Sequence, residues 1–153
     1  MLVGVLSDTH SLLRPEVVQA LNGVEHILHA GDVGDLSILE TLRSIAPTTA
    51  IRGNIDTRGP VAALPATEAL ELAGHYLYMV HALEDLDINP AAAGISAVIY
   101  GHSHKPWIGW HNGVLHLNPG SCGPRRFKLP VTLAYLHLEP SRPPRTELLD
   151  LSA

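Results

Sequence analysis

The chain has 153 residues, 46% of them hydrophobic, a formal net charge of -5 and one cysteine, Cys122. That length fits a single domain, 1–153, able to bury roughly 70% of its unfolded surface without a disulfide or a structural metal. The charge disfavours long nucleic acids, no apolar run is long enough to cross a bilayer, and the apolar start lacks the basic leader of a signal peptide, so a cytoplasmic location with no membrane partner is expected.

Residues 2–7 are apolar and partly β-branched, and they read as a buried strand. Pro15 opens a helix through about Leu21, since proline suits a first helical turn. Residues 25–30 make a second strand. Leu36, Leu39 and Leu42 recur at helical spacing, which predicts a helix from Leu36 to Ile45 that Pro47 ends. Residues 48–52 form a third strand, so the first part alternates strand and helix as parallel sheets do.

The second part is richer in strands. Ala69–Leu72 and Tyr76–Val80 flank the hairpin signal Ala73-Gly74-His75. A short helix around Asn89-Pro90 precedes a strand at 96–100. Trp107–His111 and Val114–Leu117 flank Asn112-Gly113, the strongest short hairpin signal, because a type I′ turn needs positive φ at both central residues. A strand at 131–138 and an edge strand at 146–151 close the series. This many strands predicts an α/β fold of two packed, mainly mixed sheets flanked by helices.

Five apolar runs stop on a donor side chain. They lead into Asp8-Thr9-His10, Gly31-Asp32, Gly53-Asn54, His81 and Gly101-His102-Ser103-His104. Ligands of open α/β sheets bind at the carboxyl ends of strands. Asp8, His10, Asp32, Asn54, His81, His102 and His104 are therefore expected at one sheet edge. Their oxygen and imidazole donors suit divalent transition metals. Two of them, His102 and His104, share one short loop, which makes that motif more specific than the others.

In order and spacing the five motifs resemble those of the calcineurin-like metallophosphoesterases, from Met1 to about Ser121. The short length resembles the small single-domain phosphodiesterase branch of bacteria and archaea, and so does the Asn118-Pro119-Gly120-Ser121 turn. The resemblance implies a four-layer sandwich and a dinuclear-metal-dependent phosphodiesterase acting on small phosphodiesters. Asp8, His10, Asp32 and His104 would hold one ion, and Asp32, Asn54, His81 and His102 the other, with Asp32 bridging. Asp8, Asp32, Asn54 and His81 would also be catalytic. The cofactors implied are two divalent transition-metal ions, manganese favoured, with iron, zinc, nickel and cobalt compatible. A homo-oligomer is left open. The alternative is a catalytically weak or inactive scaffold of this fold, or a module that binds a nucleotide and hardly turns it over.

Two positions depart from the family pattern. Ile55 stands where many relatives place a histidine that assists the leaving group, and Ala82 and Leu83 follow His81 where glycine is usual. Asp35 and Asp56 read either as a cap and a turn residue or as groups that orient ligands. His26, His29, His75, His111, His116 and His137 read as core or surface histidines, and Cys122 as an inert small side chain. Arg125-Arg126 reads as a solvated loop in preference to a phosphate contact, and Trp107 and Trp110 as core or hairpin packing in preference to a pocket wall or an oligomer seam.

Overall fold

The structure is a computed structural model that describes residues 1–152. Its first half winds as the alternating pattern requires. Strands β1 (Leu2–Leu6), β2 (His26–His29) and β3 (Thr48–Ala50) are parallel, and α1 (Pro15–Ala20) and α2 (Leu36–Ile45) connect them. Pro15 opens α1. Asp35 caps α2 by accepting the Ser37 N–H at 2.9 Å, and the helix buries Ile38, Leu39 and Leu42. Gly4 lets α1 lie close, since a Cβ there would strike the Leu21 side chain.

A second sheet follows, made of β4 (Thr67–Leu72), β5 (His75–Val80), β6 (Ile95–Ile99), β7 (Trp107–His111) and β8 (Val114–Asn118). The chain then returns to the first sheet as β9 (Thr132–His137) and β10 (Arg145–Asp150). The sheet orders are β10-β9-β1-β2-β3 and β4-β5-β6-β8-β7. Strands β5, β6 and β8 are parallel neighbours, as are β1, β2 and β3. Both tight hairpins have positive φ at their two central residues, 50° and 80° at Ala73-Gly74 and 50° and 78° at Asn112-Gly113.

Alternation along the strands sorts side chains into layers. Val3, Val5 and Leu28 of the first sheet meet Leu77, Ile99, Leu115 and Leu117 of the second. Leu6 and Ile27 face the other way, onto Val17, Leu21, Leu39 and Leu42 of the helical layer. Each such fully buried side chain contributes about 1.5–3 kcal/mol. Over the second sheet the fourth layer contains no α-helix among the described residues. The short helix expected around Asn89-Pro90 is reduced to a 3-10 turn at Leu83–Asp85 and one turn closed by the Ala93 N–H on the Asn89 carbonyl. Gly94 follows with φ 75°, which ends that turn. Leu83, Leu86 and Ile95 cover Val80, Val98, Tyr100 and Val114 there.

A second expectation also needs correcting. Trp107 and Trp110 are 58% and 54% exposed, because β7 is the sheet's edge strand. No helix of the described residues is long and apolar enough to cross a membrane.

Candidate metal centre

The parallel strands of both sheets end at one edge of the sandwich. Asp8 and His10 follow β1, Asp32 follows β2 and Asn54 follows β3, while His81 follows β5, and His102 and His104 follow β6. Backbone hydrogen bonds lock these loops together. Asp8 N–H donates to the Gly31 carbonyl, His10 N–H to Asp32, and Gly101 N–H to His81. Asp8, His10, Asp32, His102 and His104 all have positive φ, between 46° and 74°. Left-handed backbone in non-glycine residues costs about 1–3 kcal/mol each and concentrates at functional sites.

The donor atoms converge. Asp32 Oδ2 lies 3.3 Å from His10 Nε2 and 3.3 Å from His81 Nε2. Asp8 Oδ1 lies 3.4 Å from His104 Nε2 and 3.8 Å from both His10 and His81. Asp8, His10 and His104 form one compact donor group, and Asp8, Asp32 and His81 a second. Asn54 Oδ1 faces His81 Nε2 at 3.1 Å, an acceptor turned toward other acceptors. Asp8 Oδ1 and His10 Nε2 are buried and have no hydrogen-bond partner. Such orphaned buried polar atoms are rare in folded proteins. Cations at the centre of the cluster would satisfy all of them, so these residues fit divalent metal. His102 stands apart: it is exposed, and its ring packs edge-on against His81 at 5.2 Å between centroids.

Electrostatics agree with this arrangement. Burial alone would raise the Asp8 carboxyl, but His10, His104 and the Ser7 hydroxyl hold it far below the ordinary carboxylate range. Asp32 is likewise lowered, with burial opposed by His81 and the Ile55 N–H. His10 is raised, chiefly by Asp8. Burial lowers His81, yet Asp32 and the Ala30 carbonyl raise it overall. His81 Nδ1–H donates to that carbonyl at 2.7 Å, which turns Nε2 toward the carboxylates.

Supporting residues emerge that the motifs do not announce. Ser7 Oγ donates to Asp8 Oδ2 at 2.7 Å, and His102 N–H reaches the same oxygen at 3.2 Å. Asp56 accepts from the Val33, Gly34 and Gly53 N–H groups at 3.0, 2.9 and 2.8 Å, so it orients the two ligand loops after β2 and β3. Asp35, by contrast, is the helix cap. His29 is fully buried, and burial pushes it down to about 4. Its Nδ1 accepts from Gly31 N–H, its Nε2–H donates to Thr9 Oγ1, and that hydroxyl donates to the Val33 carbonyl. A neutral histidine thus ties the Asp8 loop to the Asp32 loop. Its place in an apolar strand just before Gly31-Asp32 was the signal available in sequence. Cys122 is buried with its thiol pushed up to about 12 by burial, in keeping with an inert role.

Glycines permit the crowding. A Cβ on Gly31, at φ 102°, would lie 2.6 Å from His81 Nδ1, and one on Gly53 would collide with Asp32. A groove of about 450 Å³ opens beside Asn54, His81 and His102, bounded also by Arg52, Thr67, Glu84 and Asp85. Ile55 is 42% exposed next to Asn54, and its N–H donates to Asp32 Oδ1 at 3.1 Å. Ala82 is buried, and His81 keeps its place without a following glycine.

Fold and donor cluster together define a metal-binding α/β sandwich. The chain belongs to the calcineurin-like phosphoesterase superfamily, whose model matches residues 1–141. It is 34% identical over 134 residues to a probable metallophosphoesterase of Methanocaldococcus jannaschii, covering 79% of this chain and 68% of the relative. Its fold matches that of a novel archaeal phosphodiesterase with TM-score 0.80 at 23% identity, over 97% of this chain and 100% of that one. It also matches Vps29 of Entamoeba histolytica complexed with zinc, with TM-score 0.75 at 23% identity, over 98% and 99%. The family binds divalent metals and acts on phosphoesters.

Proposed function

We propose that this protein is a dinuclear-metal-dependent phosphodiesterase that hydrolyses small phosphodiesters with metal-activated water. The observation that carries the reading is Asp32 Oδ2, which stands 3.3 Å from a histidine of each donor group. Asp8, His10, Asp32 and His104 are assigned to one ion, and Asp32, Asn54, His81 and His102 to the other. Manganese is the favoured metal for a mixed oxygen and imidazole set, with iron, zinc, nickel and cobalt compatible. When bound, two such ions polarise the phosphoryl oxygens and lower the pKa of a water nucleophile.

The remaining chemistry belongs to the chain. Asp8 and Asp32 are held ionised and so present full negative charge to the ions. The Ala30 carbonyl fixes the His81 ring, and the groove beside Asn54 receives the ester. Ile55 offers no proton, so good leaving groups are favoured. The reading includes a single domain in the cytoplasm, with no membrane or long nucleic acid as partner.

Turnover of bis(p-nitrophenyl) phosphate with manganese tests this. Activity should vanish on chelation and return with metal. Full activity after verified metal loss would refute it. The likeness to Vps29 is one of fold and keeps a second reading in view, a scaffold or a nucleotide-binding module of low activity. An oxygen or imidazole donor at all seven positions favours the enzyme, and metal content measured alongside turnover separates the two.

A further inference from the structure

Segment 121–123 runs directly beneath the first donor loop. Ser121 Oγ donates to the Asp8 carbonyl, Cys122 N–H donates to the Ser7 carbonyl, and a Cβ on Gly123 would strike the carbonyls of Asp8 and Thr9. Arg14 Nε donates to the Gly123 carbonyl and pins the segment from its outer side. The chain then leaves the floor of the centre as an exposed arm, Pro124-Arg125-Arg126-Phe127-Lys128. Three of the chain's 10 lysines and arginines lie within four residues here.

The arm has a defined shape. Leu129 N–H closes a turn on the Arg126 carbonyl, and Arg125 Nε donates to the Leu129 carbonyl. Arg125 is therefore committed to the loop. Arg126 is exposed and makes no side-chain hydrogen bond or ion pair among the described residues. Phe127 sits at the turn tip with φ 52° and is 94% exposed. It contributes nothing to the core, and its backbone is strained for an aromatic residue. Folding gives no reason for a bare aromatic ring between free cations at the rim of a metal centre.

Recognition of a ligand does. Aromatic side chains stack on bases, and arginine pairs with phosphate oxygens. The groove beside Asn54, by contrast, is lined by charge of both signs, Arg52 with Glu84 and Asp85. We infer that Arg126 and Phe127 form a recognition arm for a nucleotide-like substrate, with Phe127 stacking on the base and Arg126 holding a phosphate other than the scissile one. This rests on the phosphodiesterase reading for its catalytic half and on the arm's geometry for its binding half.

Two esters with one leaving group test it, thymidine 5′-(p-nitrophenyl phosphate) and ethyl p-nitrophenyl phosphate. The manganese-loaded wild type should prefer the thymidine ester by about tenfold or more in kcat/KM, a stacking-sized effect. Phe127→Ala should bring that ratio toward one through KM, and Phe127→Trp should keep it. A ratio unchanged in Phe127→Ala would overturn the inference. Calorimetry with thymidine 3′,5′-bisphosphate and inorganic phosphate decides the matter without turnover. The bisphosphate should bind the manganese-loaded protein at least about tenfold tighter, with that advantage lost in Phe127→Ala and reduced in Arg126→Ala. Equal affinities in the wild type would overturn the inference. Failure to hydrolyse either ester would instead count against the phosphodiesterase reading and leave the binding result to stand by itself.

Discussion

Asp32 is the residue we propose as the bridge between the two ions. Its Oδ2 is equidistant from His10 and His81, and its Oδ1 accepts the Ile55 N–H, so the carboxylate is pinned while it serves both sides. Asp32→Ala should leave at most one weakly held ion, and elemental analysis checks this: two tightly bound ions in the variant would refute the bridging role. Ile55 poses the opposite question, what an absent group costs. A positioned acid typically contributes about 10²–10⁴-fold when the leaving group is poor. Ile55→His places an imidazole next to Asn54, and the half-exposed position gives the ring room. Turnover should rise most on esters with poor leaving groups, by less than the full factor because nothing there orients the ring. The measurement is the slope of rate against leaving-group pKa in both proteins. An unchanged slope with both ions bound would mean that position 55 does not face the leaving group.

At the scale of elements, the site is a meeting of loops, and Asp56 is the clamp between two of them. Its carboxylate takes three backbone N–H groups from the loops that carry Asp32 and Asn54, while it is itself 2% exposed. Asp56→Ala would leave the buried Val33 N–H unpaired, at about 1–3 kcal/mol, while the part-buried Gly34 and Gly53 N–H groups would lose a charged partner but could turn to water. Melting of the metal-free variant should show a loss of roughly 2–4 kcal/mol, and metal affinity should fall as well. Unaltered melting and affinity would show that the loops hold themselves. Sequence could not choose between turn residue and orienting group for Asp56, because both need the same residue in the same place. The strands and α2 were legible, since their apolar spacing and punctuation by Pro15, Pro47 and Asn112-Gly113 act locally. The gathering of Asp8, His10, Asp32, His81 and His104 was legible for a related reason, since the strands they follow share one direction in the sheets, whereas His102 is exposed and lies outside both donor groups. What was not legible depends on partners distant in sequence. Trp107 and Trp110 have the hydrophobicity of core residues, and only the sheet order places β7 at an edge. His29 looked like an ordinary core histidine, and only the packing of β1 against β2 brings Thr9 to its ring.

Over the whole molecule, two sheets present the carboxyl ends of their parallel strands to one point, so charge of both signs collects where the sandwich closes. Without metal, that charge balances through protons. His10 and His81 are raised above their ordinary value of 6.5, so they contribute stability below that pH and lose it as pH rises through the raised values. Asp8 and Asp32 are lowered below 3.8, so their contribution is present above that value and fades as pH falls through the lowered ones. The metal-free ion-pair network is thus complete between the carboxylate range and the raised histidine values. Metal needs the same Nε2 atoms that the protons hold, so binding must expel them. Manganese binding near pH 6.5 should therefore release about one to two protons, and the number should fall toward zero well above the raised histidine values. Titration calorimetry in buffers of different ionisation enthalpy counts them. His81→Ala should lower the count near pH 6.5 even if one ion still binds. Metal bound at pH 6 with no proton released would mean that His10 and His81 are not the atoms displaced, and the ligand assignment would fall with them.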